Sequence, residues 1–222
     1  MIPIEIDPSW PAGARMGFLE ARGLPALPCH PALEARRLEL EQELRARHQG
    51  QDRRALAERP ALAAFAGYYR GFGQTSHLLA QLESVALKGK SIPSRSCAVT
   101  ALFMAEMKHG VLAAAHDLGR LSGTLRMAAG SGAETYVALG GRTASVHPGD
   151  LFLSQDRGVL SSILSGPDQD TPVGPETRDV LYAFYAPEAL AGADLDAAMD
   201  EVEACLALFA PEAARTRRVL PG

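Results

Sequence analysis

Apolar and polar residues alternate in two short stretches near the N-terminus. Ile2, Ile4 and Ile6 are separated by polar or turn residues, a spacing that predicts a half-buried strand. Residues 16–22 predict a second strand, because this stretch is mostly apolar and is followed by Gly23. The sequence therefore predicts two strands ahead of the first helix.

Helical spacing dominates the next part of the chain. Apolar residues three and four positions apart predict helices over residues 32–48, 60–69, 76–89 and 98–108. Pro60 suits a first helical turn, and Ser76 suits an N-cap. In the last of these helices the predicted buried face consists of Val99, Leu102, Phe103 and Met107.

Short apolar or alternating runs follow Gly123, divided by Gly, Pro and Asp. They predict strands over residues 124–127, 134–139, 151–154, 159–164 and 180–185. A final amphipathic helix is predicted over residues 194–209, and the basic tail Arg215–Arg218 is expected to fray. Because helices and strands are grouped rather than regularly alternating, the pattern favours an α+β fold over a doubly wound sheet.

The composition is that of a globular protein with a small excess of acidic residues. Of 222 residues 47% are hydrophobic and 22% charged, and the formal net charge is −4. This balance argues against broad, sequence-blind binding of nucleic acid, which needs a basic surface, but it leaves room for a local basic patch.

The three cysteines and the N-terminus bear on the compartment. Cys29, Cys97 and Cys205 are few, odd in number and widely spaced, so we expect reduced thiols in a cytoplasmic protein. The first residues lack the basic head and apolar core of a signal peptide. No apolar run approaches the roughly 20 residues of a membrane span, so no membrane association is expected.

Short catalytic motifs are absent from the sequence. It holds no glycine-rich phosphate-binding motif, no nucleophile elbow and no zinc-binding pair of the Cys-x2-Cys or His-Glu-x2-His type. We therefore expect no cofactor and no metal. A three-dimensional cluster of His77, His109 and His116 is the one metal-binding alternative that the residues leave open.

Several other residues permit both a structural and a functional interpretation. Either Asp117 caps a short helix over residues 118–121, or one of His116 and Asp117 faces a ligand pocket. Arg126, on a predicted strand, pairs with a structural acid or reaches an anionic ligand. The aromatic and basic residues at positions 68–72 either pack into the core at a helix end or stack on bases.

A longer ordered series carries a family resemblance. Its pieces are Tyr69-Arg70-Gly71-Phe72-Gly73, Leu87 to Pro93, His116-Asp117-Leu118, Leu121 to Arg126, Gly149-Asp150, Asp156, and Thr177 before a strand. From about Ile4 to Phe209 the chain resembles a stand-alone relative of the B3/B4 domain of the phenylalanyl-tRNA synthetase β subunit. In the synthetase this domain hydrolyses mischarged tRNA.

The resemblance implies a fold and its organisation. The expected fold is a single α+β unit over residues 1–222, with a mixed or antiparallel sheet or partial barrel flanked by helices. N-terminal strands and helices would occupy residues 1–93, the core 94–190 and a C-terminal helix 194–210.

The resemblance also implies a pocket. The family's Thr-Asn pair falls on Thr100 and Ala101, its histidine on Leu112 with His116 as the nearest substitute, its glutamate near Ala183, and an aspartate before the pair on Ala98. The expected ligand-binding residues are Thr100, His109, His116, Asp117 and Arg126, with no catalytic residue assigned. A helix near residue 100 and the strands beyond 123 are expected to wall the pocket together.

Three functions remain open at this point. One is a trans-acting hydrolase of mischarged aminoacyl-tRNA, in which backbone amides stabilise the oxyanion. Another is a non-catalytic module that binds an amino acid, a nucleotide or an RNA end, which the net negative charge and the apolar replacements favour. The third is unrelated small-molecule chemistry on the same fold. The expected partners are thus the 3′ end of aminoacyl-tRNA or a free amino acid.

Overall fold

Helices precede most of the strands in the computed structural model, which describes residues 1–221. The helices are α1 (Pro31–Arg47), α2 (Arg53–Ala57), α3 (Pro60–Gly71), α4 (His77–Ala86), α5 (Cys97–His109) and α6 (Gly192–Phe209). The strands are β1 (Ile4–Ile6), β2 (Arg15–Arg22), β3 (Ala113–Asp117), β4 (Leu125–Ala129), β5 (Thr135–Val137), β6 (Thr143–Ser145), β7 (Leu151–Gln155), β8 (Gly158–Ser162), β9 (Gly166–Pro167), β10 (Val180–Ala186) and β11 (Ala214–Leu220).

The strands form two larger sheets and one hairpin. One sheet has the order β1-β4-β7-β8-β9, with β1 parallel to β4 and its other pairs antiparallel. The other has the order β11-β2-β10-β3 and is antiparallel throughout. Strands β5 and β6 form a separate hairpin. Within residues 1–221 both larger sheets are open, so the predicted α+β class with a mixed or antiparallel sheet is confirmed.

Strand β10 lies at the centre of the molecule, between the helices and the first sheet. All seven of its residues are buried. The Tyr182 hydroxyl donates to the carbonyl of Ala98 on α5, and the Tyr185 hydroxyl donates to the carbonyl of Ser161 on β8. Because residues an odd number apart point to opposite faces of a strand, α5 covers one face of β10 and β8 covers the other. This sandwich places α5 near the junction of both sheets.

A single large cluster of buried apolar side chains runs from Trp10 to Leu220. A second, smaller cluster packs the β5–β6 hairpin on β4, β7 and β8, and it includes Tyr136, Val146 and Phe152. The organisation of residues 1–222 as one domain stays a prediction. No helix within residues 1–221 combines the length and the apolar character needed to cross a membrane.

The prediction that the C-terminal tail frays is wrong, because residues 214–220 form β11 along the edge of β2. Arg215 and Arg217 are half-buried while their neighbours at 214, 216 and 218 are exposed, which is the alternation of a strand. Arg217 forms ion pairs with Asp196 and Asp200 of α6. Arg217 therefore faces the helix, and its charge is neutralised by two acidic side chains, whereas Arg215 donates to the carbonyl of Ala210 just after α6.

Other differences concern short elements. The predictions omitted α2, β3, β6 and β9, which have five residues or fewer. Asp52 begins α2 by accepting a hydrogen bond from the Ala55 amide, a cap that a sequence-based prediction overlooks in so short a helix. Beyond these segments, the predicted helices and strands coincide with observed elements to within a few residues at each end.

Candidate functional site

A cavity of about 570 Å³ lies between α5, the strands and the tip of the β5–β6 hairpin. Its volume falls within the range of small-molecule sites, roughly 300 to 1,000 Å³. It is lined by His77, Gln81, Arg95, Val99, Leu102, Phe103, Glu106, Leu112, Ala113, Ala114, Ala115, Leu139, Gly140, Ser162, Gly166, Pro167, Asp168, Pro172, Val173 and Tyr185. The expected cleft between the helix near residue 100 and the strands beyond 123 is therefore present.

Most of the cavity wall is apolar. Leu102 and Phe103 of α5 face the small side chains of β3, whose three alanines leave the space open. The polar exceptions are His77, Gln81, Arg95, Glu106, Ser162, Asp168 and the hydroxyl of Tyr185. An apolar chamber with a few polar groups suits a ligand that has a hydrophobic body and a small polar head.

Helix α5 carries one acid into this chamber. Ser96 caps its start by accepting a hydrogen bond from the Val99 amide, and Gly110 ends it in the left-handed conformation at φ 74°. Helical spacing places Glu106 one turn beyond Leu102 and Phe103, on the same face. The cavity side of α5 thus bears a carboxyl group among leucine and phenylalanine side chains.

The carboxyl group of Glu106 is almost dehydrated. Its side chain is 4% exposed, and Oε1 accepts a hydrogen bond of 3.0 Å from the Ala113 amide. Oε2 makes no hydrogen bond to any residue from 1 to 221. Burial raises the pKa of Glu106 to about 8, and the Ala113 amide opposes that rise only in part. At neutral pH the group is therefore mostly a neutral acid.

His77 presents a lone pair to the cavity. The Tyr69 hydroxyl donates its one proton to the carbonyl of Ile163 at 2.6 Å and contacts Nδ1 of His77 at 3.1 Å. Because that proton is already engaged, the Tyr69 oxygen can only accept from His77, so Nδ1 carries the hydrogen. In the neutral ring Nε2 is then an acceptor. His77 can bind a water molecule or a donor group of a ligand through this nitrogen.

A buried chain of polar groups lies behind the opposite wall. His116 is fully buried, with Nδ1 2.8 Å from the Thr171 hydroxyl and Nε2 3.1 Å from the Ser161 hydroxyl. Thr171 in turn donates to Asp168, and Ser161 contacts the Tyr185 hydroxyl at 2.8 Å. Asp168 and Tyr185 line the cavity, so this chain of hydrogen bonds joins two of its polar groups through His116.

None of the five predicted ligand-binding residues is itself among the residues that line the cavity. His116 lies behind the wall. Thr100 is buried, and its hydroxyl accepts a hydrogen bond of 3.3 Å from the Arg95 amide ahead of α5. Asp117 caps the 3₁₀ turn Leu118–Arg120 by accepting from the Gly119 amide at 2.9 Å, which is the structural alternative.

The other two predicted residues lie elsewhere. His109, at the end of α5, is 3.9 Å from Glu201 of α6, which also pairs with Lys108. Burial acts to raise the pKa of Glu201, but His109 and Lys108 of α5 and Arg36 of α1 outweigh it and hold that pKa at about 2. Arg126 is exposed on β4 and pairs with Glu5 and Asp7. Their role in ligand binding stays a prediction.

The metal-site alternative does not hold within residues 1–221. No three His, Cys, Asp or Glu side chains converge there as metal ligands. The three histidines of that hypothesis have separate partners, which are Tyr69 for His77, Glu201 for His109 and Thr171 for His116.

The aromatic cluster at residues 68–72 serves the core. Tyr69 is buried, and the Tyr68 hydroxyl donates to Asp150 at 2.8 Å while accepting from the Leu151 amide at 2.7 Å. Burial raises the pKa of Asp150 to about 6, although the Tyr68 hydroxyl opposes that rise. The packing interpretation of this cluster is therefore the one that the contacts favour over base stacking.

Two residues that line the cavity, Glu106 and His77, were not among the ligand-binding residues predicted from the sequence. Glu106 had a signal, because it is a charged residue on the buried face of a helix that otherwise carries Leu102, Phe103 and Met107. His77 had none, since its orientation depends on Tyr69 and on the carbonyl of Ile163, 94 residues further along the chain from Tyr69.

Comparison with solved structures finds proteins of similar fold. The fold resembles part of a tRNA synthetase. One of the matching structures is a crystal structure of an N-terminal fragment of the phenylalanyl-tRNA synthetase β subunit from Pyrococcus horikoshii, with a TM-score of 0.51 and 10% sequence identity. The alignment covers 99% of this chain and 54% of that fragment, so the chain spans about half its length.

The expected relation to the phenylalanyl-tRNA synthetase β subunit is thus confirmed at the level of the fold. No family model matches the sequence. No curated protein matches it either. Of the positions that the resemblance assigned, Leu112 lines the cavity, whereas Ala98, Ala101 and Ala183 are buried outside its lining.

Proposed function

We propose that the chain is a B3/B4-like protein whose cavity takes the aminoacyl group at the 3′ end of a tRNA and hydrolyses its ester bond. The observation that carries this proposal is the 570 Å³ cavity between α5 and the strands, which is apolar apart from a few polar groups. The likeness in fold to the phenylalanyl-tRNA synthetase fragment supports the choice of ligand.

Hydrolysis requires a water molecule held beside the ester and a group that takes its proton. Nε2 of His77 is the acceptor that the cavity offers, because Tyr69 fixes the hydrogen on Nδ1. In this proposal water attacks the ester carbonyl while His77 takes its proton. The imidazole then returns the proton to the departing ribose oxygen, which leaves a free amino acid and an uncharged tRNA.

The rest of the tRNA end would lie outside the cavity. Arg95 is exposed and lines the cavity, and Arg142 is exposed in the same hairpin turn as the lining residue Gly140. Neither forms an ion pair with another of residues 1–221. These two guanidinium groups are therefore available for phosphate contacts at the mouth, despite the net charge of −4.

Deacylation of a panel of charged tRNAs tests the proposal. The wild-type protein is expected to release the amino acid from at least one of them, and His77→Ala to lower that rate by about 100-fold or more, as for the loss of a general base. Tyr69→Phe removes the group that fixes the His77 tautomer and is expected to lower the rate by less. Arg54→Ala, an exposed arginine of α2 outside the cavity, is the matched control.

A second function is favoured by the chemistry of the cavity wall. Its polar groups include no nucleophile with an adjacent base, and both nitrogens of His116 are engaged in hydrogen bonds. This arrangement suits a module that binds an amino acid or an aminoacyl end without turnover. Saturable binding of the charged tRNA, with a rate of deacylation equal to background, would select this second function over the first.

A further inference from the structure

The buried carboxyl group of Glu106 is a feature of the cavity that the proposed hydrolysis does not use. Glu106 is 4% exposed and belongs to the wall, yet within residues 1–221 its carboxyl group accepts a hydrogen bond only from the Ala113 amide, and Oε2 accepts none. Acids that stabilise a fold are ordinarily paired when they are buried, because an unpaired buried carboxyl group costs free energy in either protonation state. A ligand that donates a hydrogen bond to Oε2 would explain why an acid occupies this position in the wall.

Charges on the neighbouring elements do not supply that partner. On α1, Arg37 is engaged by Glu34 and Glu41. On α6, Glu201 is engaged by Lys108. On β3, His116 is engaged by Thr171 and Ser161.

Within the cavity itself, the other titratable or charged groups are His77 of α4, Asp168 after β9, Tyr185 of β10 and Arg95 at the mouth. Tyr69 of α3 lies behind His77. The carboxyl groups of Asp150 and Glu106 add to the effect of burial in raising the pKa of Tyr69. Glu106 therefore lies close to the Tyr69–His77 pair while lacking a cation of its own.

We infer that Glu106 binds the α-ammonium group of the ligand, so that the cavity selects amino acids or aminoacyl esters with a free amino group and an apolar side chain. Oε2 would receive an N–H of the ammonium, and Leu102, Phe103 and Val173 would surround the side chain. This inference rests on the proposed function for the source of the ligand, but its chemistry applies equally to a free amino acid.

The inference gives binding a characteristic pH dependence. A carboxylate and an ammonium form the complex, so Glu106 must lose its proton when the ligand binds. Because burial raises the pKa of Glu106 to about 8, affinity should rise with pH through the range below that value, by up to roughly tenfold per unit. A ligand that accepted a hydrogen bond from neutral Glu106 would show an affinity that is constant below about pH 8 and falls above it.

The test uses amino-acid amides, which carry the ammonium group but no ester that can be hydrolysed. Binding of L-leucinamide and L-phenylalaninamide is measured by calorimetry between pH 5.5 and 7.5, beside the deaminated analogues 4-methylpentanamide and 3-phenylpropanamide. We expect at least one amide to bind, with affinity that rises with pH, and its deaminated analogue to bind at least 10-fold more weakly without that rise.

Glu106→Gln keeps the shape of the side chain and removes the charge. It is expected to lower the affinity for the amide to that for the analogue and to flatten the pH profile, whereas Glu176→Gln, on an exposed loop outside the cavity, leaves both unchanged. If Glu106→Gln fails to fold, the pH dependence of amide binding by the wild-type protein still tests the inference.

The inference is overturned if neither amide binds at millimolar concentration, if the analogues bind as tightly, or if the affinity for the amides does not rise with pH. Its failure is distinguishable from that of the proposed function. Deacylation that Glu106→Gln leaves unchanged would refute only the role of Glu106, whereas amide binding that depends on Glu106, without any deacylation, would refute only the hydrolysis.

Discussion

At the scale of single residues, Glu106 is an acid whose free energy of ionisation depends strongly on its surroundings. Its pKa in the folded protein, about 8, lies above the value of 4.5 that an unperturbed glutamate has. Between these two values the folded state keeps a proton that the unfolded state has released. Stability therefore falls as pH rises through this window, and the penalty is complete above about pH 8.

Replacement of Glu106 by Gln should remove this dependence. The variant is expected to match the wild type near pH 4.5 and to exceed it at pH 8 by roughly 2 to 4 kcal/mol in free energy of unfolding, because the amide does not ionise. Urea unfolding at both values measures the difference, with Glu176→Gln as the control. A gap between variant and wild type that is equal at both pH values would show that Glu106 titrates normally.

Asp117 and His77 show which residue roles could be predicted from the sequence and which could not. Asp117 was recognisable as a cap, because the Gly119 amide that it binds is two positions away. The tautomer of His77 could not be predicted, because it is fixed by the Tyr69 hydroxyl, which in turn donates to the distant carbonyl of Ile163. Local chemistry is readable from spacing, whereas a site assembled from α3, α4, α5 and β8 requires the folded arrangement.

At the scale of elements, β11 shows how charge can conceal a strand. Its inward side chains Arg215 and Arg217 are basic, so the apolar alternation that identifies a strand is missing. Both arginines have partners in the folded protein. Arg217 pairs with Asp196 and Asp200 of α6, and Arg215 donates to the carbonyl of Ala210 at 2.7 Å. Helix α5 is the opposite case, since its apolar stripe predicted residues 98–108, within one residue of the observed bounds at each end. Of its predicted buried face, Leu102 and Met107 are buried, whereas Val99 and Phe103 are half-buried because they line the cavity.

Strand β11 is expected to contribute to stability through one apolar contact at its end. Leu220 is 6% exposed, whereas Val219 on the same strand is 38% exposed. Leu220→Ala should therefore lower the free energy of unfolding by about 2 to 3 kcal/mol, and Val219→Ala by less than about 1 kcal/mol. Chemical denaturation of both variants checks this, and equal losses would mean that β11 does not pack as described.

At the scale of the whole molecule, the two sheets and α5 enclose the cavity together. The fold class and this enclosure followed from the grouping of elements and from the family resemblance. The apolar character of the wall did not, because β3 contributes its alanines only once it pairs with β10. The distribution of charge around the mouth is likewise a property of the assembled chain rather than of its net charge.

That distribution gives a prediction for RNA binding. If Arg95 and Arg142 contact phosphates, the double change to alanine should weaken binding of charged tRNA and lower the slope of log affinity against log salt concentration by about 1 to 2. Filter binding at several salt concentrations measures both quantities, beside Arg54→Ala. An unchanged slope would show that phosphates contact another part of the surface.

The central claim is that the space between α5 and the strands holds an aminoacyl group. The most direct measurement is a crystal structure of the protein with a 3′-aminoacylamino-adenosine, in which an amide replaces the labile ester. The account predicts the amino-acid side chain beside Leu102 and Phe103 and the ammonium group within hydrogen-bond distance of Glu106. An empty cavity at saturating ligand, or a ligand bound elsewhere, would contradict it.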